Sequence, residues 1–284
     1  ALLAGSRMEV LVTSDDWLDD LDAHRQASSA ELKTRIRPSL RADAALDFES
    51  ASFADFRRGL EERTGQATDT LEGYVAGLTD RLNFFASAGC VIADHGIDQL
   101  EFGAFDQRVA ARSYETVIRG GSLNSDDAAV LRSYVFLQVA AAYAQRGWTL
   151  LLHLGAQRNT STRLAQTVGR AGGYAAIGNP IDCRALTQLL DAMERHMEHQ
   201  GGLPRTIIFP LNPNDYEAVA SLCGSFVEDG VPGKVQLGPA WWYNDHRTGI
   251  ERHLSAVADH GVLGHFLGMV TASRSFRRSS SCCS

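Results

Sequence analysis

The chain has 284 residues, 44% of them apolar and 21% charged, the balance of an ordinary globular protein with ample material for a buried core. Its net charge of −7 gives no attraction to phosphate backbones, which argues against a nucleic-acid partner, and no apolar run approaches bilayer length, which argues against a membrane span. The five cysteines form no CxxC pair, and an odd number suits a reducing, cytoplasmic setting better than a disulfide framework.

The opening residues, ALLAGSRMEV, read as the tail of a helix running into a first strand, MEVLVTSDD (8–16). Its closing Ser14, Asp15 and Asp16 are helix-start residue types, and adjacent carboxylates at a strand end also suit a polar network below a sugar site. Residues 17–88 then carry about three helical patterns, including FADFRRGLEERTG and TLEGYVAGLTDRLNFFASAG, and read as a helical insertion after the first strand. The second strand, GCVIADHG (89–96), closes on Asp94 and His95, either a carboxylate-oriented imidazole or the cap of a following helix. The third, WTLLLHLG (148–155), ends near His153. A lone histidine there is ordinarily a core residue, but Arg158 in the next loop brings a guanidinium able to grip a carboxylate with two prongs, which favours function.

The tract GRAGG (169–173) does not follow a strand as a phosphate loop would and reads as a turn. DCRALTQLLDAMERHMEHQGG is a capped amphipathic helix: Asp182 starts it, Leu186, Leu189, Leu190, Met193 and Met197 form one stripe, and Gly201–Gly202 ends it. His196 and His199 near its end have HxxH spacing but read as surface residues favoured by the helix dipole. RTIIFPLN (205–212) is the fourth strand. KVQLGPAWW (234–242), the fifth, closes on Trp241 and Trp242, whose faces suit the C–H face of a sugar; for one of the pair, core packing is the competing reading. HFLGMVTAS (265–273) is the sixth, with Arg274 just beyond it, and RRSSSCCS (277–284) reads as a disordered tail.

Strands alternating with helices imply an α/β fold with a parallel sheet covered on both faces. Polar residues at the ends of many different strands favour a (β/α)8 barrel over a doubly wound sheet, here a partial TIM-like barrel of about six βα units. Residues 1–284 are read as one such domain lacking its N-terminal strands.

The stretches TSDDWLDDLDAH (13–24), RIRPSLRAD (35–43), GCVIADHG, LHLGAQRNTSTR (152–163), LNPNDYEAVASLCGSF (211–226), KVQLGPAWWYND (234–245) and GMVTASRSF (268–276) together resemble the uronate isomerases of the amidohydrolase superfamily. They follow in that family's order over nearly the whole chain. The resemblance implies a distorted (β/α)8 barrel that interconverts D-glucuronate with D-fructuronate and D-galacturonate with D-tagaturonate in cytoplasmic hexuronate catabolism, with a homo-oligomer allowed. It implies a zinc-like divalent metal held by a His-x-His, by a central-strand histidine matched by His153, and by a last-strand aspartate, with Arg274 two residues beyond. Arg158, Trp241, Trp242, Asp94 and His95 fall in the substrate-binding set.

Two departures stand out. No His-x-His is present, so the chain resembles the C-terminal part of a family member, strands three to eight, as a truncated or frame-shifted product would. Where the family has its aspartate, this chain has Ala272, which leaves that strand without a proton acceptor; loss of a positioned base costs ~10²–10⁴-fold in rate. A catalytic zinc takes about three protein ligands, so weak metal binding is expected. The alternatives are a non-catalytic sugar-acid binder or degenerate fragment, and a metal-dependent hydrolase of the same superfamily.

Overall fold

Short strands and longer helices alternate along the chain in the computed structural model, which describes residues 8–30, 33–169, 172–196 (of His196 the backbone alone) and 202–268. Ala272, Arg274, Met197, His199, the tail 277–284 and the sixth predicted strand beyond Gly268 lie outside the described residues. The chain divides into two compact units. One comprises Ala1–His95, Glu101–Leu150 and Gln188–Arg205; the other comprises Gly96–Leu100, Leu151–Thr187 and Thr206–Ser284.

The first unit opens with β1 (Val10–Val12), β2 (Asp15–Asp16), α1 (Asp22–Ser29), β3 (Arg35–Arg37) and β4 (Leu40–Arg41). β1 pairs in parallel with β3, Leu11 opposite Ile36, and β2 with β4, Asp15 opposite Leu40. Between β3 and β4 the chain passes Pro38, flanked by backbone bonds from Thr13 N to the Arg37 carbonyl at 3.0 Å and from Asp15 N to the Ser39 carbonyl at 2.9 Å. α2 (Phe53–Thr64) and α3 (Leu71–Ser87) follow and match the two helical patterns named for this stretch. The short strands β3 and β4 were not expected there: RIRPSLR carries three arginines and a proline, so no apolar alternation announced them. β5 (Ile92–Ile97) pairs in parallel with β4, Leu40 opposite Ala93. α4 (Gln107–Ile118), α5 (Ser125–Gln145), the start of β6 (Thr149–Leu154) and the later helical residues from Gln188 on complete the unit.

Polar caps start these helices: Thr70, Asp106 and Asn124 each accept a backbone N–H from the first turn of α3, α4 and α5, satisfying donors that have no partner within the helix. α5 is buried on nearly all sides, from Leu131 to Tyr143, as an apolar helix without a polar face must be. It can lie this close because Gly103 has no side chain; a Cβ there would fall 2.3 Å from the Val130 backbone nitrogen. Phe48, Phe53, Phe56, Tyr74 and Tyr114 meet in mostly edge-to-face contacts with centroids 5.1–6.5 Å apart, and Tyr74 places its hydroxyl 2.8 Å from the Ala45 carbonyl.

The second unit holds the C-terminal ends of β5 and β6, then β7 (Ala156–Gln157), α6 (Thr162–Val168), β8 (Ala176–Ile177), the start of α7 (Cys183–His196), β9 (Arg205–Pro210) from its second residue, α8 (Tyr216–Cys223), β10 (Val235–Leu237) and α9 (Arg247–His260). β10 pairs in parallel with β9, Leu237 opposite Ile208, and β9 neighbours β6. β7 and β8 form an antiparallel ribbon, Gln157 opposite Ala176. The helix expected from Asp182 is present: Asp182 accepts from the Arg184 and Ala185 amides, and Leu186, Leu189, Leu190 and Met193 are buried. The sixth predicted strand is not borne out where it is described. Leu263–His265 is a single 3-10 turn and residues 266–268 carry no strand. The fold is therefore α/β with mostly parallel pairing.

Candidate functional site

In the second unit, strand alternation decides where His153 points. Leu150, Leu152 and Leu154 of β6 are fully buried on one face, which leaves Leu151 and His153 half-buried on the other. There the imidazole stacks on Phe209 at a centroid distance of 4.4 Å and meets Trp241 edge-on at 4.6 Å. Gly238 makes the Phe209 position accessible, since a Cβ at that residue would lie 2.7 Å from the ring. The aromatic run continues outward: Trp241 to Trp242 at 5.4 Å, and Trp242 stacked on Tyr243 at 5.1 Å. Trp242 and Tyr243 are each 41% exposed, and the Trp241 indole N–H is buried with no acceptor among the described residues. Of the tryptophan pair, Trp241 is thus the inner ring and Trp242 the outer.

Arg158 follows β7 directly. Its Nη1 donates to Asp98 Oδ1 at 2.7 Å, and the pair is partly exposed, 34% and 45%. The guanidinium is held and still solvent-facing, so a second carboxylate can reach it. Asn159, next in the chain, sits in the left-handed region (φ 53), and its side-chain oxygen accepts from the Tyr174 hydroxyl.

In the first unit Asp94 and His95 part company. Successive residues of a strand face opposite ways, and the Asp94 carboxylate accepts from Arg41 Nη1 at 2.5 Å while Arg41 Nε donates to Asp43 at 2.8 Å. Burial by itself would lower the Arg41 guanidinium, but the Asp94 and Asp43 charges outweigh it and hold it above its ordinary value. His95 is buried against Phe136 at 4.8 Å, with Nε2 3.1 Å from the Tyr143 hydroxyl and Nδ1 without a partner among the described residues. Desolvation pushes its pKa down to about 4, so it is neutral at physiological pH. Asp15 and Asp16 form the short strand β2 and not a helix start. Of the two carboxylates, Asp15 alone joins a polar network, accepting from Thr13 Oγ1 at 2.6 Å with that hydroxyl 2.7 Å from His24 Nε2, while Asp16 accepts the Leu18 amide.

Sequence reasoning singled out neither Arg41, Asp98, Phe209 nor Tyr243. Phe209 read as one more apolar strand residue. Arg41 sat inside a quoted motif and Asp98 just beyond one, but only the fold shows which opposite charge each one meets.

The described residues do not fit a catalytic divalent metal. No group of three or more His, Cys, Asp or Glu among them is placed to hold one. His153 is the one proposed donor they contain, and its ring lies between two aromatic neighbours. By sequence, position 272 offers a methyl group. No helix among the described residues is long and apolar enough to cross a membrane.

The family model for glucuronate isomerases matches residues 1–280. The uronate isomerases of Oceanobacillus iheyensis and Halalkalibacterium halodurans are 34% and 35% identical over 276 and 277 residues, 97% of this chain and 58% of each relative. The crystal structure of uronate isomerase from Thermotoga maritima superposes with a TM-score of 0.90 at 26% identity, covering 99% of this chain and 60% of that one. Glucuronate isomerase from Caulobacter crescentus gives 0.86 at 21% identity over 99% and 57%, a likeness of fold alone. The chain therefore spans about 58% of the length of the curated relatives it matches.

Proposed function

The chain belongs to the glucuronate isomerase family, and on that footing we propose that it carries the sugar-acid-binding part of a hexuronate aldose–ketose isomerase. The reaction is the interconversion of D-glucuronate with D-fructuronate and of D-galacturonate with D-tagaturonate. The observation that carries this reading is an apolar ring wall, His153 against Trp241 and Phe209, in the same unit as the solvent-facing guanidinium of Arg158. A uronate offers two handles, a C–H ring face and a carboxylate, and these groups suit one each. For the whole protein we propose the distorted (β/α)8 barrel, of which this chain supplies about six βα units; the parallel pairs within each unit support it.

In this proposal Arg158 binds the carboxylate, and Trp241 and Trp242 fix the ring plane. Asp94 serves by holding Arg41, and His95 by packing its strand. Isomerisation moves a proton from C2 to C1 through an enediol, which needs a base at one face and positive charge near the developing oxyanion. Arg274 is assigned the second task. Position 272 is assigned the first, and Ala272 cannot perform it, so turnover by this chain is expected to fall ~10²–10⁴-fold below that of a family member with the carboxylate. The divalent metal of the family would polarise the carbonyl oxygen when bound; the donors here do not complete its site, and no step is assigned to it. That incomplete donor set likewise gives the hydrolase reading no support.

Ala272 favours a second reading, a binder of sugar acids without turnover. One experiment separates the two. Calorimetric titration with D-glucuronate runs beside an NMR assay of aldose–ketose conversion, on the chain as given and on Ala272→Asp. Binding by both, with conversion rising ~10²-fold or more in Ala272→Asp, supports the isomerase lineage. Binding by both with no conversion supports the binder. If neither binds glucuronate, the sugar-acid reading is lost.

A further inference from the structure

Trp242 is a bulky residue held at φ 54, in the left-handed region that such side chains rarely occupy unless their surroundings impose it. The imposing contact is at hand. Tyr243 stacks on the Trp242 ring with an interplanar angle of 18° and donates its hydroxyl to the Ala175 carbonyl at 2.5 Å. On the other side of the turn, Asn244 donates to the Leu211 carbonyl at 2.7 Å. The turn is thus pinned at two points, with the tryptophans presented ahead of them.

Ala175 immediately precedes β8. In the β7–β8 ribbon Ala156 faces Ile177 and Gln157 faces Ala176, so the same register, carried one step further, sets Ala175 opposite Arg158. The residue that accepts the Tyr243 hydroxyl is therefore the cross-strand neighbour of the guanidinium-bearing residue. The ribbon has only two paired positions, too few to be rigid unaided. Its far end is tied by the Gly178 amide, which donates to the Gly155 carbonyl at 2.9 Å, and by Asn212, which donates to the Gly178 carbonyl at 3.2 Å. The near end, where Arg158 leaves the ribbon, is closed by Thr160, which donates to the Tyr174 carbonyl, and by the Tyr174 hydroxyl on Asn159; the Tyr243 hydroxyl is what joins it to the stacking turn.

We propose that Tyr243 is a positioning residue: its hydroxyl couples the Trp241–Trp242 stacking turn to the ribbon that carries Arg158, so that ring face and cation are held in one fixed relation. This rests on the sugar-acid reading above and adds a specificity determinant to it. A ligand that uses both handles gains from the coupling; a ligand that uses the ring face alone does not. A phenylalanine at this position keeps the stack and loses only the tie.

The test uses the full chain and Tyr243→Phe. Affinities for D-glucuronate and for D-glucose, the neutral sugar with the same ring, are measured by titration, each also in an Arg158→Ala background. Amide hydrogen exchange is followed at residues 156–158 and 175–177. Tyr243→Phe is expected to weaken glucuronate about fivefold or more while changing glucose less than about twofold, to have no further effect once Arg158 is alanine, and to speed exchange in the ribbon. Equal losses for both sugars would mean that the stacking face itself is damaged and would overturn the coupling, as would unchanged exchange in the ribbon. If the parent chain binds no glucuronate, the sugar-acid reading fails separately, and the exchange arm alone decides whether Tyr243 ties the turn to the ribbon.

Discussion

Replacing Arg158 by alanine removes the cation assigned to the substrate carboxylate. A charge-assisted guanidinium–carboxylate contact contributes about 1.5–3 kcal/mol when well formed. Arg158 is about one-third exposed and already paired with Asp98. Solvent screening and competition with that pair, itself worth ~0–1 kcal/mol at such exposure, bring the net expectation to about 1–2 kcal/mol. This corresponds to a roughly 5- to 30-fold rise in Kd for D-glucuronate. Glucose should be unaffected, so the ratio of the two affinities is the readout. High salt should shrink the difference, because the Debye length falls from about 10 Å at 0.1 M to about 3 Å at 1 M. Asp98→Asn, which removes the competitor, should tighten glucuronate about two- to fivefold. An unchanged glucuronate-to-glucose ratio in Arg158→Ala, with native circular dichroism, would refute the assignment and the electrostatic reasoning behind it.

Three further outcomes are expected. His95 titrates near pH 4 in the folded chain, against an ordinary value of 6.5; the unfolded chain therefore binds the extra proton in between. Its contribution is fully present above about pH 6.5 and is lost as pH falls toward 4, amounting to about 3 kcal/mol at most; urea titrations at pH 7 and pH 4.5 should show this, and His95→Gln should flatten the slope. Gly103→Ala drives a methyl group into the Val130 backbone and should cost about 2–3 kcal/mol, read as a drop in the urea midpoint at unchanged m-value. Trp242→Ala removes a ring that is 41% exposed. It should move Tm little while weakening glucose and glucuronate alike by about 1 kcal/mol, which sets it apart from Arg158→Ala.

The candidate site was legible only in part. His153 and Arg158 could be picked out because a polar residue closing an apolar strand, with an arginine just beyond it, is a local pattern. Which partner each one takes is not local. Arg158 meets Asp98, sixty positions earlier, and Arg41 meets Asp94, fifty-three positions later; only the side-by-side placement of strands brings such charges together. The pair Asp94–His95 shows the same limit. In the linear chain they read either as a carboxylate-oriented imidazole or as the cap of a following helix, yet the pleat sends the carboxylate to an arginine and buries the imidazole.

What the amino-acid order determined by itself was everything carried by short-range periodicity and by residue identity. The apolar runs of β5, β6 and β9, the capped helices α2, α3 and α7, and the family motifs follow from patterns a few residues long, because helix and strand each impose a fixed repeat on whatever must be buried. The alanine at position 272 belongs here too, since no fold can turn a methyl group into a base. Tertiary structure alone decided the rest: that RIRPSLR forms two short strands, that Trp241 is the inner ring and Trp242 the outer, and that Tyr243 reaches the ribbon beside Arg158. A strand without apolar alternation exists only because a neighbour supplies its hydrogen bonds, and a side chain's role is settled by what the folded chain sets against it.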